Sequence, residues 1–307
     1  MSASDIYEEL RPRAFAIAYQ MLGSVSEAED VVQEAFLRMH QTLQRDEQIT
    51  SPRAYIATLV TRIAIDQLRS ARVRRERYVG EWLPEPVMTE PTPAEQAETS
   101  DSLSLAFLVL LESLTPQQRA AFLLREVFDY PYPAVADILD TTVDNTRHLV
   151  ARARAQIRER RPRFPATRRQ RQELAERFFA AAEQGDLPAL EALLAQDVAM
   201  HGDGGGKVPA LARPVNGRAK VVKLLLAGMA AIRRYRLRLR SAEVNGEPGA
   251  LVLDDQDRLV GVMSFEIAEG QIQNIHSIVN PDKLRHFGPV GDLVGLIRTH
   301  GRARHGN

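Results

Sequence analysis

The sequence predicts a multidomain protein in which two all-α helical domains precede one α+β domain. At about 150 residues per domain, a chain of 307 residues suggests two or three domains. Apolar residues recur at helical spacing through the first 195 positions, and alternating stretches typical of strands follow from residue 235. Residues 80–100 hold four prolines and five acids, which indicates an extended linker between the helical domains.

Composition excludes several other classes of protein. The hydrophobic fraction of 44% and the charged fraction of 26% are typical of folded chains rather than disordered ones. The longest apolar run, Leu105–Leu111, is far shorter than the roughly 18 residues of a membrane-spanning helix. Cysteine is absent, which excludes disulfides and thiolate metal sites, and the first residues lack the features of a secretory signal. We therefore expect a cytoplasmic protein without a membrane partner.

The first helical domain is predicted at residues 1–79. An amphipathic helix runs from Ile6 to Leu22 and ends at Gly23. Ser26 and Glu29 have the spacing of a capping box that opens a second helix. A third helix begins at Pro52, since proline suits the first helical turn, and a bundle of the three closes near residue 78.

The second helical domain is predicted at residues 101–162, with helices at Leu103–Leu114, Gln117–Val127, Pro133–Leu139 and Val143–Arg160. A three-residue break at 140–142 separates the last two. That spacing is typical of a helix-turn-helix, in which the second helix enters the major groove of DNA. A plain helical hairpin has the same spacing and remains the alternative.

The α+β domain is predicted at residues 168–287, followed by a C-terminal tail at 288–307. Gly185 and Asp186 join two helices, and a glycine-rich loop spans His201–Lys207. Another helix at Arg218–Ala231 precedes a run of antiparallel strands. These strands are expected at Tyr235–Val244, Ala250–Leu253, Leu259–Ile267 and Ile272–Ile278.

The net charge of zero conceals a block pattern. Residues 51–80 carry seven arginines and two acids, and residues 119–172 carry twelve arginines and six acids. Between them, residues 81–118 hold seven acids and no base. Two basic blocks around an acidic spacer indicate two phosphate-binding surfaces, with solvated helix faces as the alternative.

Each basic block contains candidate DNA-binding residues. On the third helix a charged stripe recurs every three or four positions and is suited to phosphate contacts. Tyr78 and Trp82 lie just beyond it and are candidates for stacking on unpaired bases. On the last helix of the second domain, outward-facing side chains include arginine, which bonds guanine, and asparagine, which bonds adenine. The candidates are Arg62, Asp66, Arg69, Arg72 and Arg75 on the stripe, and Asn145, Arg147, His148 and Arg152 on the last helix.

Candidate catalytic groups occur only in the α+β domain. His201, Asp203 and His276 are suited to acid–base chemistry if a pocket shifts their pKa values toward neutrality. The alternative is that Asp203 caps the triglycine turn and His276 is an ordinary core residue. The segment lacks the spacing of a phosphate-binding or dinucleotide-binding loop. We therefore expect no enzyme activity, no cofactor and no metal site.

Several motifs resemble those of extracytoplasmic-function (ECF) sigma factors. Residues 18–24 and 28–37 resemble the region-two signature, Ile65–Arg69 continues it, and Leu114–Arg119 opens a segment similar to region four. Three further motifs resemble the SigJ-like subgroup, which carries a C-terminal SnoaL-like extension of the NTF2 fold. They are Trp82–Pro86, Asp203–Lys207 and Asn280–Leu284.

The resemblance implies the partners and the site residues. The second helix would dock on the clamp helices of the largest subunit of RNA polymerase core, through Asp30, Gln33, Glu34 and Leu37. The third helix would read and melt the minus-ten element of promoter DNA, and the helix-turn-helix would bind the minus-thirty-five element. The free chain is expected to be a monomer.

We further hypothesise that the extension regulates the protein in cis through contacts with the proline-rich linker, because a tethered contact is effectively intramolecular. The residues expected to make these contacts are Trp82, Pro84, Asp203, Gly204, Gly205, Lys207, Asn280, Pro281, Asp282 and Lys283. The alternative is a DNA-binding regulator whose SnoaL-like domain binds a small ligand or retains isomerase- or cyclase-type activity.

Overall fold

The computed structural model describes residues 3–45, 48–89, 103–158 and 166–302, except the side chains of residues 3–5, 71–74 and 300–302. The chain forms two compact units. One comprises residues 1–77 and 108–161, and the other comprises residues 78–107 and 162–307. Within the described residues, none of the helices is both long enough and apolar enough to cross a membrane.

The first unit begins with three long helices: α1 (Ala3–Leu22), α2 (Val25–Gln44) and α3 (Pro52–Glu76). Gly23 adopts a left-handed conformation with φ of 66°, which ends α1. The side chain of Ser24 then caps α2 by accepting a hydrogen bond from the backbone N–H of Glu27 at 3.3 Å. The predicted cap at Ser26 is therefore wrong by two residues, because the chain is already extended at Ser24 and helical from Val25.

The remainder of the first unit contains α4 (Leu105–Leu111), α5 (Pro116–Phe122), a π-helical turn (Leu123–Val127), α6 (Tyr132–Leu139) and α7 (Val143–Arg158). Helix α4 runs across the chain boundary between the two units. Asp140 ends α6 in a left-handed conformation, and α7 packs on α6 around buried Val135, Ile138 and Val150. The helical fold class predicted for both N-terminal parts is confirmed.

The two helical parts pack together in this one unit. The carboxylate of Glu112 forms ion pairs with both Arg75 and Arg119. The side chain of Arg119 is only 2% exposed, and its Nε donates to the carbonyl oxygen of Gln20 at 3.1 Å. Buried charges require such partners, so these contacts join α3 and α1 to the segment around α5. The compact unit combines residues 1–77 with 108–161, and the domain boundaries at residues 79 and 101 stay a prediction.

The second unit is an α+β fold, as predicted. Its helices are α8 (Arg168–Gln184), α9 (Leu187–Leu193), α10 (Arg218–Arg234) and α11 (Leu293–Arg302). Its strands are β1 (Leu194–Asp203), β2 (Val215–Asn216), β3 (Arg238–Val244), β4 (Glu247–Leu253), β5 (Leu259–Ala268) and β6 (Gln271–Ile278). Strand β2 was not predicted, and α11 lies in the C-terminal tail, where no helix was predicted.

The six strands form one sheet in the order β2-β1-β6-β5-β4-β3. Neighbouring strands are antiparallel except β1 and β6, which are parallel. The expected run of antiparallel strands is therefore correct for β3 to β6 and does not extend to β1. A parallel pair needs a long crossover, and the chain from residue 204 to residue 270 provides it.

The two faces of the sheet have different coverings. Helices α8, α9 and α10 pack on one face, where Phe178 and Val222 belong to the same core as Phe265 and Ile275. Side chains alternate along a strand, so the cross-strand partners His201 and His276 lie on the opposite face. Tyr78, Glu81 and Leu83 form hydrogen bonds with side chains of this opposite face.

Candidate functional site

One face of α2 is exposed and partly acidic. Asp30, Gln33 and Leu37 are exposed, and the side chain of Leu37 is 52% accessible. Glu34 is half-buried and accepts a hydrogen bond from Arg38 at 2.7 Å. The opposite face of α2, which includes Val31, Val32 and Ala35, is fully buried. The four residues predicted to bind polymerase therefore share one accessible surface.

The charged stripe on α3 is partly engaged in contacts within the protein. Arg62 donates to the carbonyl oxygens of Ile138 at 2.9 Å and Asp137 at 3.0 Å, at the C-terminal end of α6. Carbonyl groups at that end of a helix carry partial negative charge and attract a cation. By contrast, Asp66 and Arg69 form an exposed ion pair with each other at 3.1 Å.

Arg75, at the end of the stripe, is also engaged within the protein. Arg75 binds Glu112 and donates to the carbonyl oxygen of Leu22 at 2.5 Å. The side chain of Arg72 lies outside the described residues. A phosphate contact by Arg62 or Arg75 would have to replace the bonds that each makes in this structure.

The outward face of α7 is accessible. Asn145, Arg147, His148 and Arg152 are all exposed, whereas Thr146, Val150, Ala153 and Ile157 face the core. Local bonds hold two of the exposed side chains: Asn145 donates to Thr141 Oγ1 at 2.9 Å, and Arg147 pairs with Asp144 at 3.1 Å. Such a face is compatible with insertion into a major groove.

In the second unit, the carboxylate of Asp203 is the centre of a buried polar cluster. Asp203 is fully buried and accepts hydrogen bonds from Tyr78 Oη at 2.5 Å and from the backbone N–H of Leu83 at 2.9 Å. It also accepts from the backbone N–H of Gly205 at 3.0 Å and from Lys283 Nζ at 2.7 Å. Asp203 therefore joins the linker, the glycine-rich loop and the segment after β6.

Lys283 completes this cluster. Only 5% of Lys283 is exposed, and its Nζ also donates to the carbonyl oxygen of Leu83. The ammonium lies 4.2 Å from the ring centroid of Trp82 and 5.1 Å from that of Tyr78, within the range of cation–π attraction. Tyr78 and Trp82 were predicted to stack on unpaired bases. In this structure both rings pack against the buried ammonium of Lys283.

The phenol of Tyr78 has two partners in this cluster. It donates to Asp203 and accepts a hydrogen bond from Asn280 Nδ2 at 2.7 Å. Burial, and then the hydrogen bond to Asp203, raises the pKa of Tyr78. The phenol therefore stays protonated as the donor to Asp203.

The triglycine loop allows close approach between segments of the backbone. A Cβ atom at Gly205, where φ is +60°, would lie 2.3 Å from Asn280 Nδ2, and a Cβ at Gly204 would lie 2.1 Å from the carbonyl oxygen of Val208. Lys207 forms an ion pair with Asp282, which follows Pro281 in a short 3₁₀ turn. Glycine is required at these two positions because a side chain would overlap with Val208 or Asn280.

The rest of the described linker also contacts the C-terminal part of the second unit, residues 166–302. Pro84 is buried, and Glu81 binds His201 Nδ1 at 2.7 Å. Asn245 exchanges bonds with Val87 and donates to the carbonyl oxygen of Leu103 at 2.9 Å. The contacts of Glu81 and Asn245 were not predicted. The pair Asn245-Gly246 is a turn signal in the sequence, and in the structure Asn245 has φ of 54°.

The three candidate catalytic groups are engaged with other side chains of the second unit. Burial lowers the pKa of His201, but its bond to Glu81 and the charge of that carboxylate outweigh burial, so the pKa is raised. Burial, followed by the charge of His201, lowers the pKa of His276 to about 3, and the two rings stack with centroids 5.0 Å apart. With Asp203, these residues lie on the sheet face that carries the linker.

A pocket of about 360 Å³ opens on the other face of the sheet. It is lined by Met200, Gly202, Pro209, Ala210, Leu211, Ser277 and Val279. Its lining contains no acid or histidine, so His201, Asp203 and His276 are not part of it. Among the residues that the structure describes, no cluster of three or more histidine or acid side chains is suited to a metal ion.

Comparison with known proteins identifies the two helical parts. The family model Sigma-70 region 2 matches residues 6–74, and the model Sigma-70, region 4 matches residues 104–157. The ECF RNA polymerase sigma factor SigJ of Mycobacterium tuberculosis is 36% identical over 295 residues, covering 90% of this chain and 91% of the relative. The Probable ECF RNA polymerase sigma factor SigI of the same species is 30% identical over 274 residues, covering 87% and 90%.

A solved structure supports the same relationship. The crystal structure of M. tuberculosis SigJ matches this chain with a TM-score of 0.71 and 33% sequence identity, covering 92% of this chain and 98% of that one. The exposed helix-turn-helix and the two matched regions define a transcription initiation factor of the sigma class. The chain belongs to the ECF RNA polymerase sigma factors. Its partners are accordingly RNA polymerase core and promoter DNA.

Proposed function

We propose that this sigma factor binds the clamp helices of RNA polymerase core through α2 and reads promoters through α3 and α7. We further propose that the second unit regulates this activity in cis by holding the linker. The observation that carries the regulatory proposal is the buried pair of Asp203 and Lys283, whose remaining bonds reach Tyr78 and Leu83. The monomeric free state is proposed on the resemblance alone.

The proposed polymerase surface predicts a loss of core binding on charge reversal. Replacing Asp30 and Glu34 together with arginine should abolish co-purification with core polymerase, because the clamp is expected to be basic and like charges at an interface cost several kcal/mol. The fold should persist, since Asp30 is exposed and Glu34 has only its surface pair with Arg38 to lose. Pull-down with core polymerase measures the effect.

A matched control is available on α8. Glu173 and Glu176 are exposed, and Glu173 pairs with Arg169 in the same way that Glu34 pairs with Arg38. The double reversal of Glu173 and Glu176 changes the net charge equally and should leave core binding intact. Equal retention of core polymerase by both double variants would contradict the α2 surface.

For promoter reading, α7 predicts a change in sequence preference. Replacing Arg152 with alanine should reduce discrimination at one position of the minus-thirty-five element by about 1–3 kcal/mol, since a bidentate arginine–guanine contact contributes that much. Replacing Arg154, which instead pairs with Glu126 at 2.7 Å, serves as the control. Holoenzyme binding to a panel of single-base promoter variants measures the difference. An Arg152 variant that weakened all promoters equally would indicate a phosphate contact.

Several hydrogen bonds support the proposal that the second unit regulates activity in cis by holding the linker. Asp203 bonds both Tyr78 and Leu83, and Lys283 also bonds Leu83. In addition, Glu81 binds His201, and Asn245 binds Val87. Release of the linker should therefore change run-off transcription by core polymerase, in a direction that the contacts do not determine. Transcription that stays the same after the linker is released would contradict the proposal. A ligand-binding or isomerase-type role is not favoured by any specific observation.

A further inference from the structure

The end of α10 and the strand β3 carry a dense group of arginines in the second unit. Residues 233–240 contain five arginines and no acid. All five are exposed: Arg233, Arg234, Arg236, Arg238 and Arg240. None of the proposed polymerase, promoter or linker contacts uses this group, which we term the β3 arginine surface.

Ordinary structural roles account for only part of this surface. Arg233 and Arg234 lie in the last turn of α10, where cations stabilise the helix dipole, and Arg234 lies over the ring of Tyr235 at 5.6 Å. Arg238 forms an ion pair with Asp257. Within the residues that the structure describes, no ion pair or hydrogen bond accompanies the side chains of Arg236 and Arg240. Two guanidinium groups therefore remain without an anion.

The geometry of β3 favours a linear anionic partner. Arg238 and Arg240 lie on the same face of the strand, about 6.7 Å apart along it, since the rise is about 3.3–3.4 Å per residue. That separation equals two steps of about 3.4 Å along one strand of DNA. β3 is also an edge strand of the sheet, with β4 as its neighbour. The linker reaches this strand at its far end, where Met88 bridges Val244.

We infer that the β3 arginine surface binds the phosphate backbone of promoter DNA, as a contact additional to the two sigma regions. Guanidinium groups match phosphate oxygens in bidentate geometry. A protein partner is less suited, because interface cores are built on buried apolar and aromatic anchors, whereas Leu237 and Leu239 are half-buried in their own unit. The inference rests on the proposed promoter binding.

The test uses the full chain assembled with core polymerase and a fluorescent promoter duplex. The variant replaces Arg236 and Arg240 with glutamine, which leaves the pair of Arg238 and Asp257 in place. Each phosphate contact contributes about 0.9 to the slope of log affinity against log salt, so the slope should fall in magnitude by about 1.8. Between roughly 50 and 200 mM salt, the variant should then lose about tenfold less affinity than the parent. The preference for promoter over scrambled duplex should not change.

The control variant replaces Arg177 and Arg213, two exposed arginines elsewhere in the unit, with glutamine. It removes the same charge and should keep the parental slope. Equal slopes for the parent and the Arg236/Arg240 variant would overturn the inference. So would a variant with a parental DNA slope but weaker binding to core polymerase, since the surface would then contact protein. Failure of the parent itself to bind promoter would instead contradict the proposed function.

Discussion

Replacing Asp203 with asparagine should destabilise the second unit by about 3–5 kcal/mol, because it leaves the ammonium of Lys283 buried without a counter-charge. The new amide also places an N–H₂ group among donors, since Tyr78 Oη and the backbone N–H of Leu83 both donate to Asp203 in the native protein. Urea unfolding followed by the fluorescence of Trp82, the only tryptophan in the chain, measures the loss.

Asp282, which lies next to Lys283 in the sequence, provides the control for the Asp203 substitution. Asp282 is exposed and pairs with Lys207 and Arg285, so its replacement by asparagine should cost no more than about 1 kcal/mol. The Asp203 variant should also make Trp82 more accessible to a neutral quencher and change run-off transcription. Parental stability and parental quenching in the Asp203 variant would show that this carboxylate does not hold the linker.

Replacing Glu112 with glutamine should destabilise the first unit by a similar amount, about 3–5 kcal/mol. The carboxylate lies between Arg75 and Arg119, and neutralising it leaves two guanidinium groups facing each other in a largely buried site. Urea unfolding followed by the helical far-UV signal, to which both units contribute, measures the loss against the parent. Glu9 is the control, because its pair with Arg53 is exposed and its replacement by glutamine should cost about 1 kcal/mol or less.

The same substitution should change the acid dependence of stability. Burial raises the pKa of Glu112, but the positive charges of Arg119 and Arg75 outweigh burial, so the pKa lies below its ordinary value. Its contribution to stability is therefore fully present above the unfolded pKa of about 4.3 and is lost as the pH falls through the folded pKa. The Glu112 variant should lose less stability than the parent on acidification below about pH 5. An identical acid profile for both proteins would contradict this assignment.

Local sequence signals predicted most of the helices and strands. The start of α3 at Pro52 and the strand near Ile272–Ile278 were predicted correctly, because proline placement and alternation are properties of adjacent residues. The parallel pairing of β1 with β6 was not predicted, because strands so far apart along the chain leave no local pattern that specifies their pairing.

The candidate site was predicted as separate segments rather than as a set of contacts. Motif resemblance identified the segments of Trp82, Asp203 and Lys283. The contact of Glu81 with His201 joins residues 120 positions apart, and no spacing rule covers such a distance. The partners of Arg62 and Arg75 were likewise not predicted, since Ile138 and Glu112 lie far from α3 along the chain.

The convergence of bonds on Asp203 has a consequence for cooperativity. A buried carboxylate and a buried ammonium can be separated only if each is hydrated, and hydration requires that Tyr78, Leu83 and Lys283 move away together. Partial loosening would leave one charge buried and unpaired, which is the most costly arrangement. We therefore expect the cluster to open as a whole rather than bond by bond. A partner that binds the opened linker more tightly than the closed one would shift the cluster toward opening by as much as these two affinities differ.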